Sequence, residues 1–176
     1  MMTNPLGLES GRVRLVDYDR HWPLLFDAEV ERIMQACGVR PLKLEHVGST
    51  AVPGLCAKPV LDILGGRPAE TAARDYILPL LEAGYAYRGE QGVPGREFFR
   101  RGQPRAYHLH LVAQDGALWR RYLAFRDYLR THPTIAHQYA DLKRVLAARF
   151  PRDREAYIDG KGQFVLDVLR RATPGA

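Results

Sequence analysis

Residues 44–64 read LEHVGSTAVPGLCAKPVLDIL, and the fold turns on how this stretch divides. An apolar run at 42–47 ends in Gly48-Ser49-Thr50. A loop with Pro53, Gly54 and Pro59 follows, and a second apolar run at 59–64 carries one acid, Asp62. Short apolar runs bounded by glycine and proline read as buried strands. Buried strands have no structural need for a Gly-Ser-Thr tip or for a carboxylate among Val60, Leu61, Ile63 and Leu64. Both features therefore point to a phosphate and metal site.

Working outward, residues 12–16 alternate like a short strand. A helical stripe at Trp22, Leu25, Phe26, Val30, Ile33, Met34 and Cys37 follows, with Asp19 as its expected N-cap and Gly38 as its end. Gly65 and Gly66 are expected to break the second central strand. Residues 68–83 predict a helix kinked by Pro79 and stopped by Gly84. Strands are expected at 85–87, 96–100 and 106–113, with a mobile Gly/Pro loop between the first two. Three helices close the chain, over 116–131, 133–150 and 153–172. This order predicts an α+β sheet domain packed with C-terminal helices, as one domain over 1–176.

Composition excludes several classes. No apolar run reaches the ~18–20 residues of a membrane helix, and no signal-peptide pattern precedes the first helix, so a cytoplasmic protein without membrane contact is expected. Cys37 and Cys56 are the only cysteines, both expected as buried thiols. The net charge of +6 comes largely from arginine. That residue suits phosphate, but basic patches with interleaved aromatics are too dilute to indicate nucleic acid. Walker A, G-x-G-x-x-G and G-x-S-x-G patterns are absent from the sequence.

Candidate chemistry gathers around the central stretch. Gly48, Ser49 and Thr50 can present amides and hydroxyls to phosphate oxygens, and Lys58 and Arg96 can meet further anionic groups. Asp62 needs a cation, a metal or several donors, because an unpaired buried carboxylate is prohibitively costly. An arginine ion pair and a divalent-metal site both satisfy it. His108 and His110 in HLHLV share one strand face, and adjacent strands can bring Asp62, Glu45 and a histidine together. Tyr139, Lys143, Tyr157 and Lys161 can line the site from the helical side.

VDYDRHWPLLFDAE, the central stretch, HLHLV, FRDYLRTHP and YADLK together resemble the GrpB family along the whole chain. GrpB proteins are similar to the nucleotidyltransferase superfamily, which implies a mixed β-sheet flanked by helices. It also implies a nucleotide or phosphorylated small molecule as ligand, and Mg²⁺ or Mn²⁺ as cofactor. On that resemblance Val47-Gly48-Ser49 stands at the phosphate turn, and Asp62 and Glu45 are the candidate catalytic acids. Asp62, His108 and His110 are the candidate metal ligands. Leu64 stands where the superfamily has its second acid, so a two-metal mechanism lacks a ligand. A similar domain is fused to dephospho-CoA kinase in some bacteria, where it is regarded as an aid to folding of the kinase. The resemblance thus also implies a non-catalytic ligand-binding or accessory role, with that kinase as partner.

Overall fold

The computed structural model describes residues 6–173. Its elements are α1 (Trp22–Cys37), β1 (Lys43–Val47), β2 (Leu61–Arg67), α2 (Ile77–Glu82), β3 (Ala86–Tyr87), β4 (Glu97–Arg101), β5 (Tyr107–Ala113), α3 (Ala117–Thr131), α4 (Pro133–Arg149) and α5 (Arg154–Ala172). Five strands form one mixed sheet in the order β1-β2-β5-β4-β3. Only the central β2–β5 pair is parallel.

Strand alternation sorts the side chains onto two faces. One carries Ile63, Phe99, Leu109 and Leu111, which pack with Ile33 and Cys37 of α1 and Leu80 of α2. The other carries Val47, Leu64 and Val112, which pack beneath Trp119 of α3. A separate apolar cluster joins Val52, Leu55 and Cys56 of the 49–57 segment to Leu129, Tyr139, Ala140 and Val168 of the last three helices. Cys37 and Cys56 are buried free thiols.

Four local expectations are corrected. Residues 12–16 form no strand, only a bridge from Val16 to Ala57. Their apolar side chains Val13 and Leu15 go instead to the helical layer with Leu146 and Tyr157. The cap position of α1 is held by His21. Asp19 lies two residues earlier and accepts the His21 backbone N–H at 2.9 Å. The 68–83 segment holds only a 3-10 turn at Ala73–Tyr76 and the short α2. Pro79 falls in the first turn of α2, where its missing N–H costs nothing, so no kink arises.

Gly65 and Gly66 do not end β2, which pairs through both residues to Arg67. A Cβ on Gly66 would lie 2.6 Å from the Trp119 ring, so the glycine leaves the room that the indole fills against the sheet. Gly66→Ala is expected to cost about 1–3 kcal/mol by overpacking. Denaturant unfolding followed by tryptophan fluorescence checks this, and Trp119→Leu in the same chain should recover part of the loss.

Candidate functional site

The β1–β2 hairpin sets the site. Val47 pairs with Asp62, and Asp62 lies beside His108 across the parallel strand, so all three share the face turned toward the C-terminal helices. Gly48 leaves β1 at φ 72°, and a Cβ there would sit 2.7 Å from Asp62 Oδ2. Only glycine lets the backbone pass so close to the carboxylate.

Asp62 Oδ1 is 3.0 Å from His108 Nδ1 and 3.2 Å from His110 Nε2. Burial works to raise the Asp62 pKa, but the hydrogen bonds from the two imidazoles outweigh it and hold the carboxyl well below its usual range. Burial lowers the His108 pKa, so that ring is neutral at neutral pH. His110 Nδ1 faces Tyr122 Oη at 3.2 Å and Arg96 Nη1 at 3.4 Å. The guanidinium only donates, so with that contact made Nδ1 accepts and Nε2–H points to Asp62. With Nδ1–H donated to Tyr122 instead, Nε2 is free to ligate, and the tyrosine orients the ring. Candidate ligand atoms of Asp62, His108 and His110 all lie within 4.8 Å of one another, close enough to hold one divalent ion.

This corner opens on a cleft of about 460 Å³. Lys58, Arg96, Lys143, Arg154 and Lys161 line it, and Asp62 is the one carboxylate among its described lining residues. Ser49 Oγ accepts from Lys143 Nζ at 3.0 Å, and the same ammonium donates to the Cys56 carbonyl. Burial, with Lys161 and Lys58 as neighbours, pushes Lys143 down to about 7. Burial and the charge of Lys161 push Lys58 down to about 7. Lys161 falls to about 8, again through burial first, with Arg154 adding. These lysines are crowded with like charge and short of anions.

Not every expected residue reaches the cleft in the expected way. Glu45 shares a face with Asp62 but lies two residues further along β1, where Arg126 Nη1 holds it at 2.8 Å. Thr50 lines the cleft, but it is buried and its hydroxyl lies 2.9 Å from His46 Nε2. His46 stacks on Phe26, and burial lowers it to about 4. Arg96 does line the cleft, and it also ties down the loop expected to be mobile, donating to the carbonyls of Glu90 and Gln91 at 3.0 and 3.1 Å. Tyr139, Lys143, Tyr157 and Lys161 all line the cleft. Sequence reading missed Arg154 and took Tyr122 for core. A helix-start arginine looks like any solvated one, and nothing local marks it.

Residues 12–171 match the GrpB protein family. The chain belongs to the GrpB family. A UPF0157 protein of Pseudomonas aeruginosa is 43% identical over 169 residues, 93% of this chain and 69% of that one. A dephospho-CoA kinase of Mycolicibacterium paratuberculosis is 31% identical over 186 residues, covering 91% of this chain but 46% of the kinase. The crystal structure of the conserved protein GrpB from Enterococcus faecalis superposes with a TM-score of 0.83 at 34% identity, over 90% of this chain and 96% of that one. The Cid1 poly(U) polymerase, solved with MgGTP bound, superposes with a TM-score of 0.54 at 12% identity, over 76% of this chain and 44% of that one. The second likeness gives the GrpB chain a nucleotidyltransferase-like fold and nothing more. No helix among the described residues is long and apolar enough to cross a membrane.

Two outcomes are expected. Glu45→Gln should lower stability by roughly 1–3 kcal/mol through its bond to Arg126 while Mn²⁺ affinity stays unchanged. A fall in affinity, read by calorimetry, would return Glu45 to the ligand set. The three lysines have folded pKa values below the ordinary lysine value of 10.5, so the unfolded chain binds more protons from about pH 7 to 10.5. Their burial therefore costs stability below that window, and the cost lessens as pH rises through it. Binding of a polyanion should take up protons at pH 8 and weaken toward pH 9, visible in titrations run in buffers of different ionisation enthalpy.

Proposed function

We propose that this GrpB-family chain binds a nucleotide or other phosphorylated small molecule in the cleft, together with one divalent ion at Asp62, His108 and His110. The observation that carries this reading is the pairing of a carboxylate–imidazole corner with five cationic side chains around one opening. Two imidazoles and one carboxylate suit Mn²⁺ better than Mg²⁺, which prefers oxygen ligands. A bound ion would supply charge neutralisation to phosphate oxygens at this corner. The chain's own residues would do the rest. The Gly48-Ser49 turn lets a phosphate approach the backbone beside Asp62. Lys143 positions the Ser49 hydroxyl, and Lys58 and Lys161 regain their protons against the ligand's charge.

Nucleotidyl transfer from a nucleoside triphosphate is the reaction this arrangement most resembles, with an incomplete acid set. Leu64 is fully buried beneath Trp119, so the second acid of the superfamily has no equivalent on β2. That observation favours a second reading, a ligand-binding or folding-accessory domain. The relatives named dephospho-CoA kinase supply its candidate partner.

Melting the chain with each nucleoside triphosphate, with and without Mn²⁺, separates the two readings. Stabilisation by triphosphate that Mn²⁺ deepens is expected, with the metal-dependent part lost in Asp62→Asn. Product assays with the same pair decide catalysis: equal turnover in both chains would end the enzymatic reading. No melting response, with a higher soluble yield of a co-expressed dephospho-CoA kinase, would establish the accessory role.

A further inference from the structure

Outside the cleft, a second groove of about 710 Å³ runs along the 102–105 turn, lined by Arg88, Arg100, Arg101 and Arg105. Arg101 is paired with Glu29 on the opposite sheet face, and the groove's acid, Glu9, pairs with Arg12 at 3.5 Å. Arg105 has no such partner. Its side chain belongs to a residue only 9% exposed, yet its Nε and Nη2 are buried with no hydrogen-bond partner. The Nε atoms of Arg100 and Arg154 are in the same condition. Arg154 lines the cleft, whereas Arg100 and Arg105 line the groove.

Burial first, and then the charge of Arg154, lowers the pKa of both Arg100 and Arg105. None of the three forms an ion pair with a carboxylate among the described residues. Arg100 is also held in place, its guanidinium 5.3 Å from the Phe98 ring centre and its Nη2 donating to Gln91 Oε1 at 3.3 Å. Cations gathered with spare donors and no ion-paired carboxylate are a standing cost to the fold, and an anion with several oxygens removes it. Guanidinium forks match phosphate oxygens in pairs.

We propose that Arg100 and Arg105 form an anion subsite in the groove along the 102–105 turn, and that it takes the phosphate group of a phosphomonoester. The subsite needs neither a metal ion nor the Ser49 turn, so it stands or falls apart from the reading of the cleft.

Titration of inorganic phosphate into the full chain, in the presence of a chelator, tests it. Wild type binds phosphate, Arg100→Gln and Arg105→Gln weaken binding roughly tenfold or more, and Ser49→Ala keeps the binding that those two lose. In the absence of phosphate, both arginine variants melt no lower than wild type, because each relieves repulsion. Equal phosphate binding by wild type and both arginine variants would overturn the proposal, as would no binding by wild type. An equal loss in Ser49→Ala would place the anion in the cleft instead. Arginine variants that melt well below wild type would mark the cluster as structural, which also overturns it.

Discussion

Asp62 sits near the middle of the sheet, where a charged oxygen has few sources of solvation. β1 shields it on one side through Val47 and Gly48, and β5 on the other through His108 and His110. A carboxylate so placed survives only because two imidazole nitrogens lie within hydrogen-bond reach of it and one side of it opens on the cleft. Much of the surrounding architecture follows from that need. Gly48 is small because Asp62 Oδ2 lies against it. Tyr122 and Arg96 set the far edge of the His110 ring, and Phe98 packs against both histidines.

The helical layer answers the opposite problem. Its lysines and tyrosines face the cleft with too much positive charge and too little water, which is why their ammonium groups lose affinity for protons. Lys143, almost wholly buried, holds two oxygen acceptors, and Lys161 lies over the Tyr157 ring. Such crowding is unfavourable by itself. It is the arrangement expected where a ligand, rather than the protein, supplies the missing charge.

The central strands, the HLHLV strand and the three closing helices were legible because each carries its own period, apolar alternation for the strands and stripes for the helices. Asp62 stood out because a lone acid in an apolar run contradicts its surroundings. What sequence reading lost depends on distant partners. The Gly65-Gly66 pair looks like a break until Trp119, more than fifty residues later, is seen lying on it. Glu45 lies on the expected face, but Arg126 claims it from across the fold. Thr50 lines the cleft, but its hydroxyl is engaged by His46, four residues earlier, whose buried ring needs a partner. Arg105 and Arg154 have no local signature at all, since an unsatisfied donor exists only in three dimensions.

Arg96 spans from the carbonyls of Glu90 and Gln91 to the ring of His110 and the hydroxyl of Tyr122. One rigid fork therefore fastens a surface turn to the innermost corner of the cleft. Moving the proton from one ring nitrogen of His110 to the other costs that fork a bond and hands it to the phenol. The tautomer of the His110 ring and the 88–95 turn thus bear on the same guanidinium, through Nη1 at the cleft and Nη2 at the turn.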